Sequence, residues 1–269
     1  MKRKTFANMF KKVLFSHRGL INNASRRSLF FSPHPDDETL GCGGTIAKKC
    51  KAGEHVKIIL MTDGSRSHPD LIDENTLRDL RRSEFITATD VLGVAKNNLV
   101  MLNYQDGNLA LSKSNAVDVV VKILNENNPD QIFIPYIGET PEDHYTTTEI
   151  VLSAIKQTKG TYEIYEYPIW YWHQWPYSSY KFRGYKKLPG QIFNILFHNI
   201  KMLINFRISN NISDCISIKE NALKQYKSQM TRLIDDEKWQ TLVDVSNGDF
   251  INCFKSDYEI FRKTNINNI

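Results

Sequence analysis

Within Pro33-His34-Pro35-Asp36-Asp37-Glu38, four groups able to bind a metal or move a proton fall inside five residues. His34 and Asp37 are three apart, so one helical turn or tight bend aims both at one ion. An imidazole with a single carboxylate suits zinc, whose catalytic sites take three protein ligands and keep a position for water. Asp36 is then free to act as general base on that water. The same stretch also reads as an acidic helix N-cap after a Pro-His-Pro turn, where carboxylates favour the macrodipole. A second cluster, Glu139-Thr140-Pro141-Glu142-Asp143-His144, changes the weighting. His144 can complete a His-Asp-His zinc site, and Asp143 can orient a neighbouring group from behind it. Alone it too reads as a helix start, with Thr140 and Asp143 as caps. Two His/Asp clusters on one edge of a sheet are harder to explain that way.

That shared edge follows from the elements around the clusters. Short apolar runs at 29–32, 56–62, 99–102, 131–135 and 162–167 predict five strands. Helices are expected over 39–51, 75–92, 116–125 and 146–157, the second closed by Gly93. Strands alternating with helices predict an α/β fold with a mainly parallel sheet and right-handed crossovers. Ligands in such sheets bind beyond the carboxyl ends of the strands, where both clusters lie. After Trp170 the pattern breaks. Residues 170–190 are aromatic and basic. Residues 191–206 predict a helix with Gln191, Asn194, His198, Lys201 and Asn205 on one stripe. Its other side is Ile192, Phe193, Leu196, Phe197, Ile200, Leu203 and Ile204. A further helix is expected over 217–231, then a short α/β tail.

The chain has 269 residues, 41% of them hydrophobic and 24% charged, enough for one large domain with a sizeable core. Four cysteines, none in a C-x-x-C pair, suggest a reducing compartment rather than a disulfide scaffold. No apolar run is long enough for a membrane span, and no secretory signal is expected. The net charge of +5 is uneven: residues 1–29 carry +8 and residues 167–213 carry +6, both without an acid, on an otherwise acidic body. Such segments suit an anionic partner, namely a membrane surface, a phosphorylated substrate or nucleic acid. No recognition motif supports nucleic acid, which is not expected as a partner.

The sequence resembles the LmbE-like, PIG-L family of zinc de-N-acetylases. The likeness rests first on residues 33–38. It continues through Leu40-Gly41-Cys42-Gly43-Gly44, Met61-Thr62-Asp63-Gly64, Arg81-x-x-Glu84, Leu92-Gly93-Val94, Tyr104-x-Asp106-Gly107 and Asp143-His144. Lys219-x-x-Ala222-x-x-x-Tyr226-x-Ser228-Gln229 looks like the family's last helical motif. The likeness covers roughly residues 28–168 and 217–232. It implies a Rossmann-like fold and hydrolysis of an N-acetyl group on an amino sugar. By the same resemblance His34, Asp37 and His144 are the zinc ligands and Asp36 the general base. Arg81 contacts substrate, and Asp106 is a carboxylate near the sugar. Arg81 also reads as part of an exposed salt-bridged helix face with Arg78, Asp79 and Arg82. The glycines of 41–44 lack G-x-G-x-x-G spacing and are read as allowing close helix–sheet packing.

One departure matters. Family members usually carry a histidine three residues before the last ligand, where this chain has Pro141. His173, His68 and Tyr136 are candidate replacements for that oxyanion or leaving-group donor, and Asp36 can itself return the proton to the amine. His17, His55 and His198 read as surface or packing residues. The tryptophans of the run 167–177 suit sugar stacking, a membrane interface or core packing.

The expected organisation is a basic extension over 1–27 and one deacetylase-like domain over 28–269 with an insert at 170–210. The expected function is zinc-dependent removal of an N-acetyl group from an N-acetylglucosamine-type conjugate, lipid- or phosphate-linked conjugates included. The alternatives are a non-catalytic glycan-binding protein and an amidase for a non-sugar N-acyl compound. The expected location is cytoplasmic, with residues 1–27 and 176–207 docking on an anionic membrane face. The competing expectation packs the 191–206 helix on its own core or on a second subunit.

Overall fold

The apolar runs become strands, those inside the sheet buried on both faces and the edge strand at 99–104 half-buried. The computed structural model describes residues 3–15, 19–21, 26–179 and 188–264. In chain order the elements are α1 (Arg3–Phe15), β1 (Gly19–Leu20), β2 (Ser28–Ser32), α2 (Asp37–Lys51), β3 (Val56–Thr62), α3 (Glu74–Val91), β4 (Leu99–Tyr104), α4 (Lys113–Asn127), β5 (Gln131–Pro135), α5 (Glu142–Lys156), β6 (Glu163–Tyr167), α6 (Leu188–Asn205), β7 (Ile208–Asn211), α7 (Ile216–Leu223), α8 (Lys227–Met230) and β8 (Tyr258–Thr264). The strands form one eight-stranded sheet in the order β1-β7-β8-β6-β5-β2-β3-β4. The fold is thus mixed α/β and mainly parallel, as expected; β8 alone runs antiparallel to its neighbours β6 and β7.

Strand β2 is buried along its whole length, the pattern of a parallel strand covered on both faces. Phe30 points into one core with Ile58, Leu60 and Phe133, while Leu29 and Phe31 point into the other with Ile59, Met61 and Ile132. Helices α2, α3 and α7 contribute to the first core, and α4 and α5 to the second. β2 pairs with β3 on one side and β5 on the other. The chain winds outward from β2 through β3 to β4, then returns to β5. The crevice between the ends of β2 and β5 is therefore a topological switch point, the usual ligand position in such sheets.

Three elements depart from expectation. The helix expected over 217–231 is broken into α7 and α8, with Tyr226 at φ −78°, ψ 62° between them. The break lets the Tyr226 hydroxyl reach Glu38 and Ser228 reach Glu84. Strand β7 extends the sheet beyond the five strands expected, while β8 falls in the expected α/β tail. β7 escapes a periodicity argument because Ser209 and Asn210 are buried polar residues, Asn210 bonding Thr45 Oγ1 at 3.0 Å. The third departure is α1, whose apolar side packs on the protein itself. Leu14 is fully buried, Phe10 packs against the core, and the Phe6 ring lies 5.4 Å from that of Trp175. The expectation that residues 1–27 dock on a membrane through Phe6, Phe10, Val13 and Leu14 is therefore corrected for Phe6, Phe10 and Leu14, while Val13 is exposed. Parts of the two basic segments, residues 1–2, 16–18, 22–25 and 180–187, lie outside the described residues, His17 among them.

Candidate active site

The turn after β2 is built by hydrogen bonds that leave its functional groups facing the crevice. Thr62, at the end of β3, donates its N–H and hydroxyl to the Pro33 carbonyl at 3.0 and 2.8 Å. Ser32 Oγ donates to the His34 carbonyl at 2.8 Å and accepts from the Glu38 N–H at 3.0 Å. Asp36 then enters α2 at φ 132°, a backbone conformation that L residues rarely adopt and that costs on the order of 1–3 kcal/mol. The carbonyl of Asp36 starts the helix, accepting from Thr39 and Leu40. Buried Glu38 pins the turn from behind through Ser32, Thr39 and Tyr226. A Cβ on Gly41 would sit 2.3 Å from Tyr167, so this glycine permits close approach to the sheet, whereas Gly43 faces Lys219 of α7 and Gly44 faces Ile212.

His34, Asp37 and His144 meet at this crevice, α5 supplying His144 from its first turn. Asp37 Oδ2 lies 3.2 Å from His34 Nδ1 and 3.3 Å from His144 Nε2. A tetrahedral ion with bonds of about 2.1 Å holds its ligand atoms about 3.4 Å apart, so these spacings fit one. The donor set also suits a borderline-soft divalent cation. Burial of His144 pushes its imidazole down to about 4, despite the nearby Asp37 carboxylate, so the ring is neutral and able to ligate at neutral pH. The residues present therefore fit a zinc-like ion.

The opposite nitrogen of His34 faces a second carboxylate group. His34 Nε2 lies 3.2 Å from both Asp143 Oδ2 and Asp106 Oδ1. Asp143 is itself held by the N–H groups of Gly107 and Leu109 at 2.7 and 3.2 Å. Asp106 accepts from the Arg66 N–H at 2.9 Å. Burial opposes a charge on His34, but the carboxylates of Asp106, Asp143 and Asp37 overcome it and push the imidazole well above its ordinary value. Burial also opposes ionisation of Asp106, yet His34 holds that carboxyl well below the usual range. Carboxylates behind a ligating imidazole fix its tautomer and raise its basicity.

Arg81 is 2% exposed and not on an exposed helix face. Its guanidinium donates to the carbonyls of Gly64 and Pro35 at 3.1 and 2.7 Å and to Asp36 Oδ2 at 3.2 Å. Gly64, at φ 66°, makes room for it, since a Cβ there would lie 2.9 Å from Arg81 Nη1. Burial pushes the Asp36 carboxyl well above its ordinary value, with Arg81 pulling in the opposite direction. Asp36, Asp37, Arg81, Asp106, His34 and His144 all line one cavity of about 360 Å³, walled on another side by Ile169, Trp170 and Phe250. That volume lies in the range of small-molecule sites, roughly 300–1,000 Å³.

Pro141 lines the same cavity, and none of the three candidate replacements for the missing histidine does. His68 stacks on Trp239 and bonds Ser67 and the Gln240 carbonyl. The Tyr136 hydroxyl accepts from Asn205, and His173 bonds Ser246. Sequence reasoning passed over Glu139, whose carboxyl accepts the N–H groups of Ile169, Trp170 and Tyr171 at 2.8, 2.7 and 3.1 Å. It also missed Gln229 as a cavity residue, although its motif had been noticed.

The fold and the His34, Asp37 and His144 cluster at its switch point define an α/β protein with a candidate metal centre. Residues 29–155, which hold the triad, Asp36, Arg81, Asp106, Glu139 and Asp143, match the family model described as PIG-L: GlcNAc-PI de-N-acetylase. The chain is similar to the diacetylchitobiose deacetylase of Thermococcus kodakarensis, 29% identical over 147 residues that cover 52% of this chain and 54% of that one. It is also 36% identical over 80 residues to the 1D-myo-inositol 2-acetamido-2-deoxy-alpha-D-glucopyranoside deacetylase of Kineococcus radiotolerans, covering 28% of this chain and 22% of that one. It thus spans about half the length of the first of these relatives and less of the second. In fold it matches the N,N'-diacetylchitobiose deacetylase from Pyrococcus horikoshii, with a TM-score of 0.64, 22% identity, and coverage of 98% of this chain and 93% of that one.

Proposed function

We propose that this chain is a zinc-dependent hydrolase that removes the N-acetyl group from an N-acetylglucosamine-type conjugate, with residues 28–269 acting as one domain. What carries the reading is a buried carboxylate, Asp36, beside the donor triad in one cavity. The relatives named above as deacetylases of acetylated amino sugars support the substrate class.

His34, Asp37 and His144 hold the ion. When bound, zinc polarises the acetyl carbonyl and makes a water molecule acidic. Asp36 takes a proton from the attacking water as the new C–O bond forms. Arg81 holds the Asp36 carboxylate in place and steadies its charge against burial. The buried Arg81 Nε has no hydrogen-bond partner, and its guanidinium is placed to meet a sugar hydroxyl or the developing oxyanion. As the C–N bond breaks, Asp36 returns the proton to nitrogen, leaving acetate and a free amine. Asp143 and Asp106 keep the His34 ring oriented. Asp106, exposed to the cavity, also accepts a hydroxyl of the sugar.

The test is to incubate zinc-loaded protein with N-acetylglucosamine conjugates, including nucleotide-, phosphate- and lipid-linked ones, and score free amine. Release from any member supports the reading; none from the whole panel by metal-loaded protein overturns it. Pro141 favours a second reading, a glycan-binding protein or an amidase for a non-sugar N-acyl compound, because a general-acid imidazole is missing from the cavity wall. Saturable sugar binding without amine release supports the first of these; release from simple N-acyl amines alone supports the second.

A further inference from the structure

Helix α6 turns both polar and apolar groups inward. On its inward side His198 Nε2 bonds the Tyr171 carbonyl at 3.0 Å, Asn199 donates to the Trp175 carbonyl at 2.8 Å, and Asn205 donates to the Tyr136 hydroxyl at 2.8 Å. Among the described side chains of the helix, Ile195 and Met202 are the buried apolar ones, and half-buried Leu203 packs against the core. The outward side carries Ile192, Phe193, Leu196, Phe197, Ile200 and Ile204, between 44% and 66% exposed. These are six of the thirteen exposed large apolar side chains among the described residues, gathered on one helix. Contiguous apolar surface of this kind marks an interaction site. The helix packs on its own core through Ile195, Met202 and Leu203, as the competing expectation had it, while these six side chains stay uncovered.

Charge decides what covers it. No acid occurs between residues 167 and 213, while Lys201 and Arg207 are exposed. The Lys201 ammonium lies 4.5 Å from the Phe197 ring centre, so cation and apolar face form one surface. A second copy docked through the same face would bring these cations toward their equivalents with no local acid to pair them. An anionic bilayer answers both features, accepting apolar side chains beneath the headgroups and cations among them. The helix lies on such a surface rather than through it, since no helix among the described residues is long and apolar enough to cross a membrane.

We propose that the outward face of α6 docks on an anionic lipid bilayer. The docked helix sits on Tyr171 and Trp175, and Ile169 and Trp170, just before them in the chain, wall the candidate cavity. Docking therefore brings the cavity wall close to the bilayer, where an amino sugar with a membrane-anchored aglycone would be met. The proposal concerns binding and stands independently of the deacetylase reading.

The full chain is floated with vesicles of phosphatidylcholine alone or mixed with phosphatidylglycerol. The wild type is expected to partition at least about tenfold more strongly to the anionic vesicles, and Lys201→Glu to lower that partition by about tenfold or more. Phe193→Ser combined with Leu196→Ser is expected to abolish it with an unchanged melting temperature, both sites being exposed. Absence of wild-type flotation overturns the proposal, as does flotation that neither variant weakens. A dimer in light scattering that the double variant converts to monomer also overturns it and assigns the face to a second copy.

Discussion

Glu139 Oε2 lies 3.6 Å from His144 Nδ1, a buried nitrogen with no hydrogen-bond partner of its own. The same carboxyl gathers three successive N–H groups from the loop that walls the cavity. One side chain thus lies against a donor of the proposed ion site while holding the aromatic wall. Glu139→Ala is expected to weaken zinc binding by roughly 10–100-fold, the usual cost of losing a carboxylate behind a ligating histidine. Glu139→Gln, which keeps the shape and an acceptor, should lose less. Competition with a chromogenic chelator measures both, and equal affinity in Glu139→Ala and wild type would remove Glu139 from this role.

Asp36→Asn is expected to lower turnover by about 10²–10⁴-fold, the size of a general-base contribution, while zinc stoichiometry stays unchanged. Metal content by atomic absorption, set beside amine release, separates the two effects. Loss of metal in this variant makes Asp36 a ligand instead.

Pro141→His restores an imidazole to a position that already lines the cavity. Turnover is expected to rise by about tenfold or more, because a positioned imidazole adds general-acid assistance. His68→Ala and His173→Ala, outside the cavity, should leave turnover within about threefold in protein that still folds. A fall in Pro141→His turnover with unchanged zinc affinity would show that Asp36 alone handles the proton.

Stability of the metal-free protein should fall as pH rises from about 6.5 to about 8. Burial pushes the Glu139 carboxyl from 4.5 up to about 8, outweighing the three N–H groups it accepts. The folded state therefore keeps a proton there that the unfolded chain has lost, and stability declines as the pH climbs toward the folded value. His34, also raised in the folded state, acts in the same direction above 6.5. His144, pushed down to about 4, acts oppositely, but its contribution is complete by 6.5. Zinc reverses the trend, because binding displaces protons and strengthens with pH. Melting curves with and without metal across this range check both signs.

Tyr226→Phe is expected to destabilise the fold by about 1–3 kcal/mol, since it removes a partner from buried Glu38. Urea denaturation of the metal-free protein reads this out, and a change below about 0.5 kcal/mol would count against a structural role for the pair.

Much of this was legible in the sequence. Val56–Thr62 and Gln131–Pro135 stand where their apolar runs predicted, because parallel strands buried on both faces need continuous hydrophobic stretches. That His34, Asp37 and His144 would come together was legible because side chains able to ligate have a narrow chemistry and sat at predicted strand ends. Glu139 was not, although it lies in a motif already quoted. Its partners come from residues 169–171, and no local pattern reports a contact made through folded backbone N–H groups. Helix α6 stayed open for a related reason: its two stripes were visible, but periodicity alone does not say which residues face inward.

The antiparallel strand β8 sits inside the sheet, between β6 and β7, rather than at its rim. Its Glu259 grips the N–H groups of Gly44 and Thr45, each at 2.8 Å, and the Lys219 ammonium at 2.7 Å. Helix α2, which carries Asp37, is therefore clamped by residues made more than two hundred positions later. On a ribosome, every group of the candidate metal centre has emerged long before the strand that braces it. The growing chain must hold a half-closed sheet, with the edge of β6 open to mispairing, until residues 258–264 arrive.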